Sequence, residues 1–203
     1  MAEQEAGFVG SLPSIKFNVL EEDVTFRTRV RDDSVGGVNP YRWQDVTIKE
    51  LMANRRILIV TLPGAFTPTC TTRQVPEYEE NYEKVKEVAN IDEIYIMAMN
   101  DAYVMNAWAK SLGVEKLKML PDGNGSLTRR LMLDYGMHKE GMGVRCRRSA
   151  LFFSNGVLLN RWVEDVPDRG SDDPDKQDPY TFSSPENVIV TFERAAEMAA
   201  EQE

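Results

Sequence analysis

A chain of 203 residues has the size of one ordinary domain and is long enough to bury a sizeable core. Its 42% hydrophobic and 28% charged residues are those of a globular protein, and no apolar run approaches the roughly 20 residues that a bilayer span requires. A net charge of −9, from 33 acidic against 24 basic residues, argues against a nucleic-acid partner, which calls for a basic footprint.

The chain opens on MAEQEAGFVG, which is acidic and has neither the basic and apolar regions of a signal peptide nor the arginines of a transit peptide. An N-terminal extension over residues 1–20 and a cytoplasmic location are the expectation. Val24–Val30 alternates apolar and polar residues as a half-buried strand does, and Gly36-Gly37 with Asn39-Pro40 marks a loop. Ile57–Leu62 is a continuous β-branched run, the signature of a fully buried central strand. From Thr67 to about Asn90 the apolar residues Val75, Tyr78, Tyr82, Val85 and Val88 recur at helical spacing. A second buried strand follows at Ile94–Met99, then helices at Asp101–Leu112 and Ser126–Tyr135. Cys146–Phe153 and Val157–Val163 read as strands joined through Ser154-Asn155-Gly156, a strong hairpin signal. Residues 164–184, rich in Pro, Asp and Gly, read as an acidic, exposed loop. Pro185 then opens a last helix through Val188, Phe192 and Ala196. This order predicts a single α/β domain over 1–203, a mixed central sheet flanked by helices, as in the thioredoxin-like fold.

The chemistry centres on one cysteine. With two cysteines, Cys70 and Cys146, and one histidine, His138, a Cys/His zinc site and a multi-bridge disulfide framework are both excluded. The segment 62–70 leaves a buried strand, turns through Pro63-Gly64 and enters a helix. There Thr67 fits the N-cap and Pro68 the first helical position, so Cys70 falls third. Amides of a first turn lack intrahelical acceptors and the positive end of the helix dipole lies there, so a thiolate is favoured. A free cysteine near pKa ~8.5 is about 3% thiolate at pH 7, and reaching about 90% takes roughly 3.4 kcal/mol. A helix terminus supplies at most about 2 kcal/mol. A second cation is needed, and an arginine, always charged and forked, is the candidate.

At this stretch the sequence resembles the peroxiredoxins, in particular the peroxiredoxin 5 (type II) branch and the peroxiredoxin half of bacterial peroxiredoxin–glutaredoxin hybrids. Pro63, Thr67 and Cys70 meet the family motif, and the resemblance continues through Met99-Asn100-Asp101-Ala102-Tyr103-Val104, Trp108, Pro121-Asp122-Gly123-Asn124-Gly125 and Arg148 to Asn155-Gly156. It implies a thiol peroxidase of thioredoxin-like fold, without metal or organic cofactor, acting on hydrogen peroxide or alkyl hydroperoxides. By it Cys70 is the nucleophile that becomes a sulfenic acid, Thr67 and Arg148 are activators, and Pro63 shields the pocket. Strand alternation would set Cys146, Arg148 and Ala150 on one face and Arg147 on the other.

Some members of the branch carry a resolving cysteine before the last helix, where this chain has Thr181-Phe182-Ser183-Ser184-Pro185. Cys146 is the remaining candidate to resolve the sulfenic acid, against the plainer reading of a small buried residue. An external thiol, glutaredoxin with glutathione or else thioredoxin, is the expected reductant, and a homodimer the expected assembly. Pro76 would weaken the helix after Cys70 by removing one hydrogen bond. His138 is expected at the surface; Met97, Met99 and Met105 in the core; and Asp122–Gly125 as a turn rather than a calcium loop. Two readings from other classes are a peroxide sensor that relays oxidation to a partner protein and a holdase-like binding protein.

Overall fold

The structure, a computed structural model, describes residues 18–38, 40–168 and 170–201. Most of the expected N-terminal extension, and Asn39 of the expected loop, therefore lie outside the described residues. Strand β1 (Thr25–Arg31) pairs antiparallel with β2 (Tyr41–Thr47), and Thr47 then caps helix α1 (Ile48–Met52) through a reciprocal capping box with Glu50. Strand β3 (Arg56–Thr61) is central, as its apolar run predicts. It is followed by α2 (Val75–Glu80), α3 (Tyr82–Ala89), β4 (Glu93–Ala98), α4 (Ala102–Leu112) and β5 (Lys118–Pro121). After α5 (Ser126–Arg130) come the short strands β6 (Asp134–Met137) and β7 (Gly143–Cys146), then β8 (Ser149–Ser154) and β9 (Val157–Val163). A turn of helix, α6 (Pro174–Gln177), precedes the terminal α7 (Pro185–Ala200), which Ser184 caps.

The main sheet has the order β5-β4-β3-β8-β9, with β3, β4 and β5 parallel and β8 and β9 antiparallel. Alternation along β3 divides the core in two. Leu58 and Val60 join Tyr78, Val85, Trp108 and Val188 of the helices on one face. Ile57 and Ile59 join Phe26, Leu51, Met52 and Leu127 on the other. The β8–β9 hairpin closes through Asn155 and Gly156, both with positive φ, the two-residue turn expected of Asn-Gly. A side chain at Gly156 would stand 2.3 Å from Leu20 Cγ, so the position requires glycine twice over. Among the described residues no helix is long and apolar enough to cross a membrane.

Three expectations need correction. The expected helix Ser126–Tyr135 stops at Arg130, because Met132 turns left-handed at φ 55° and the Leu133 N–H bonds back to the Thr128 carbonyl, ending the helix as a Schellman turn. The expected strand Cys146–Phe153 is broken at Arg147 and Arg148. There the Arg147 N–H donates to Leu133 O and the Arg148 carbonyl accepts from Glu164 N–H. The segment 164–184 is not simply exposed: Glu164, Tyr180 and Ser183 are buried, and its end is tied back as a strap, with Thr181 and Ser183 N–H on the Glu164 carboxylate and Asp178 and Pro179 on Arg148.

Candidate active site

The loop from β3 to the helix delivers Cys70 to the sheet's C-terminal edge. Pro63 and Gly64 are buried, and a Cβ at Gly64 would meet Arg145 Nη1 at 2.8 Å and Asn100 Oδ1 at 3.2 Å, so those side chains would have to move to admit one. Asn100, at the end of β4, fixes the loop by accepting the Ala65 N–H at 3.0 Å. Phe66 takes a left-handed backbone, φ 62°, a strained conformation that functional loops retain. The helix starts at Pro68, with the Thr67 carbonyl accepting from Thr71 N–H at 3.0 Å, so Cys70 is its third residue, as the sequence predicts. The Thr67 hydroxyl donates to the Gly64 carbonyl at 2.8 Å.

From Cys70 to Gln74 the backbone widens into a π-turn, closed by Val75 N–H on the Cys70 carbonyl. Pro76, just beyond, has no N–H, and its ring would press on the preceding turn of an α-helix; the wider register relieves that clash. The π-turn keeps Gln74, four residues on, over the same face as Cys70. Both are fully buried.

Arg148 reaches this face from the break between β7 and β8. Its Nη1 donates to Cys70 Sγ at 3.3 Å and to Gln74 Oε1 at 2.5 Å. Nη2 donates to Asp178 Oδ1 at 2.5 Å, and Nε to the Pro179 carbonyl at 3.0 Å. Gln74 in turn donates from Nε2 to the Thr61 carbonyl. Burial opposes the charge on Arg148, but the facing Cys70 and Asp178 charges more than offset it and its pKa is raised. Beside the guanidinium opens a pocket of about 150 Å³, lined by Pro63, Thr67 and Pro68, by Asp178, and by Met137, Glu140 and Met142 around the β6–β7 turn. A water molecule occupies about 30 Å³ of liquid, so the pocket has room for a small molecule. The structure thus brings Pro63, Thr67, Cys70 and Arg148 together.

A sulfur against a guanidinium at a helix start, beside a small pocket, is built for nucleophilic attack on a compact electrophile. The redoxin family profile matches residues 42–178. A peroxiredoxin of Rhizobium etli is 45% identical over 173 residues, spanning 85% of this chain and 94% of its own. The chain belongs to the peroxiredoxin family. A hybrid peroxiredoxin, hyPrx5, of Haemophilus influenzae is 37% identical over 141 residues, 70% of this chain and 54% of that protein, in accord with a peroxiredoxin of the Prx5-type branch. Among solved structures, the antioxidant protein of Plasmodium falciparum, a 1-Cys peroxiredoxin, aligns at TM-score 0.74 and 31% identity over 85% of this chain and 96% of its own. The thioredoxin-like fold is thereby shared, and the protein is a peroxidase that reduces peroxide at the expense of a thiol.

Other residues of this peroxiredoxin lie apart from the pocket or were not visible from the sequence. Cys146 faces the opposite side of the sheet from Cys70, in the core with Leu127 and Phe153, so the expected common face with Arg148 does not form. The break at Arg147 is the reason, since it resets the alternation. Burial pushes the Cys146 thiol up to about 12, with weaker opposition from the Thr128 and Thr61 hydroxyls. His138 is exposed. Asp122, in the Asp-Gly-Asn-Gly turn, is buried and its carboxylate accepts from the Ser126 and Thr128 N–H groups and the Thr128 hydroxyl, a helix cap for α5. Among the described residues no group of three or more His, Cys, Asp or Glu could hold a metal ion. Gln74, Asp178 and Tyr180 complete the site without having been singled out. Gln74 carried a signal, its i+4 spacing from Cys70.

Proposed function

We propose that Cys70 is the peroxidatic nucleophile and that Arg148 and Thr67 activate it, with Pro63 closing the pocket wall against water. The Cys70 thiolate attacks the distal oxygen of hydrogen peroxide or an alkyl hydroperoxide. An S–O bond forms as the O–O bond breaks, sulfur gives up two electrons, and the leaving oxygen departs as water or alcohol once protonated. Cys70 is left as a sulfenic acid. The guanidinium stabilises the thiolate and the charge developing on the two oxygens, where a preorganised donor is worth most. Thr67, on the pocket wall, offers its hydroxyl oxygen as an acceptor for the peroxide's proton, its own proton being held by the Gly64 carbonyl. The observation that carries this reading is the 3.3 Å contact of Arg148 Nη1 with Cys70 Sγ, on a guanidinium that Gln74, Asp178 and Pro179 hold in place.

Regeneration proceeds through an external thiol, glutaredoxin with glutathione or thioredoxin, in the cytoplasm. The burial of Cys146 on the far side of the sheet supports this over an internal disulfide, as does the likeness to a 1-Cys peroxiredoxin. The thiol attacks the sulfenic sulfur, water leaves, and a mixed disulfide forms that a second thiol reduces. The working unit is a homodimer. The test is consumption of NADPH on peroxide addition in the presence of glutaredoxin, glutathione and its reductase. Cys70→Ser abolishes turnover, and mass spectrometry of peroxide-treated wild type finds oxygen or glutathione on Cys70. Turnover surviving Cys70→Ser would overturn the assignment.

A further inference from the structure

The strap between β9 and α7 contributes two acceptors to Arg148, and the family motif accounts for neither. We propose that Asp178 is a positioning residue for the peroxidase reaction: with the Pro179 carbonyl it fixes the Arg148 guanidinium so that Nη1 faces Cys70 Sγ. The proposal rests on Cys70 being the peroxidatic thiol. Three observations support it.

First, the pair is sheltered. The Arg148 side chain is 3% exposed and that of Asp178 19%, so the contact lies outside the class of solvated surface pairs that contribute little. Burying such a pair is costly, so its retention calls for a role beyond stability. Second, the attachments are arranged by edge. Nε and Nη2 are taken by the strap, through Pro179 O and Asp178 Oδ1, and this two-point grip on a planar fork sets the direction of Nη1, the nitrogen shared by Gln74 and Cys70. Third, the strap is itself fixed to the elements that carry the reacting groups. Glu164 donates its N–H to the Arg148 carbonyl, while its carboxylate accepts the Thr181 and Ser183 N–H groups. Tyr180, next to the two acceptors, donates its hydroxyl to Glu77 on α2, and Tyr78 donates to the Ser183 carbonyl. Asp178 therefore reaches Arg148 from a segment tied to both the arginine's backbone and the helix that continues from Cys70.

The experiment compares the second-order rates of Cys70 with hydrogen peroxide and with iodoacetamide, in the full-length protein and in Asp178→Ala, Asp178→Asn, Arg148→Lys and Asp178→Ala/Arg148→Lys. Iodoacetamide needs the thiolate but no donors aligned on two oxygens, so a misaimed guanidinium affects it less. Asp178→Ala is expected to slow the peroxide reaction roughly tenfold or more and alkylation less than about threefold, the selective loss that a misplaced transition-state donor gives. Asp178→Asn, which keeps an acceptor oxygen, recovers most of the peroxide rate. With Arg148→Lys already present, Asp178→Ala has little further effect, because residues acting through one another are non-additive. Equal losses with both reagents, equal losses in both backgrounds, or an active wild type unmoved by either Asp178 substitution each overturn the role of Asp178 alone. A wild-type protein whose Cys70 is inert to peroxide overturns the underlying assignment with it, so the two failures are told apart by the wild-type rate.

Discussion

A lysine at position 148 would keep the positive charge and lose the fork. Four acceptors, Cys70 Sγ, Gln74 Oε1, Asp178 Oδ1 and Pro179 O, are spread around one plane, and a single ammonium cannot reach them together. Arg148→Lys is therefore expected to lower the peroxide rate constant about a hundredfold, as loss of one preorganised donor does. Stopped-flow mixing with hydrogen peroxide measures it, and a change below about threefold would mean that charge alone suffices. At this scale the sequence was informative where chemistry is written locally. Pro63, Thr67 and Cys70 lie within eight positions, and their spacing states a turn, a helix start and a thiol in order, although the Thr67 hydroxyl donates to the Gly64 carbonyl instead of capping the first-turn amides. Gln74 follows from helical spacing once the helix is accepted. Asp178 and Tyr180 do not follow, because they enter from a Pro- and Asp-rich segment with no periodicity, and what brings them in is Glu164, a buried acceptor that sequence presents as one more acid among many.

Among the elements, the short helix α5 shows how a buried carboxylate stands in for a longer helix. Asp122 satisfies the Ser126 and Thr128 amides and the Thr128 hydroxyl while only 3% exposed. Removing it leaves those donors buried without an acceptor. Asp122→Ala should cost about 3 kcal/mol, the sum of a lost cap and unsatisfied donors, read as a fall in the urea midpoint. Cys70 lies on the other side of the sheet, so its alkylation rate in the native protein should stay as in wild type; a matching loss there would show that the two faces are coupled. The end of α5 was illegible because Met132 adopts the left-handed position that glycine or asparagine usually signals. The break between β7 and β8 escaped for a related reason. No glycine or proline marks a boundary in Cys146–Ala150, so the run reads as one strand, and what interrupts it is long-range, the Leu133 carbonyl on one side and Glu164 on the other. The β8–β9 hairpin, by contrast, was legible because Asn155-Gly156 encodes its own backbone angles.

Over the whole molecule, the buried runs Ile57–Leu62 and Ile94–Met99 were enough to place two central strands, and the hairpin the antiparallel pair beside them. The division of the core into two faces also places the second thiol, and with it a pH dependence. Cys146 is held in the apolar face with its titration raised to about 12 by burial. Tyr78 and Tyr180 are likewise raised, by burial first and then by nearby Glu164 and Glu77 respectively. In the unfolded chain these groups release protons at their ordinary values, near ~8.5 for cysteine and ~10 for tyrosine. The folded state therefore holds more protons than the unfolded state above those values, and stability must fall as pH rises. Below about pH 8 all of them are protonated in both states and contribute no slope. Between pH 8 and 10 Cys146 alone is expected to cost about 2 kcal/mol, at roughly 1.4 kcal/mol for each unit past its unfolded value. Urea midpoints measured at pH 7, 8, 9 and 10 should decline over that window for wild type. Cys146→Ala should start lower, from a lost core contact, and decline less steeply. Tyr180→Phe should flatten the curve only above about pH 10, where an unfolded tyrosine ionises. Parallel curves for wild type and Cys146→Ala would show that the Cys146 thiol ionises as readily folded as unfolded, which its full burial among Leu127, Leu133 and Phe153 forbids.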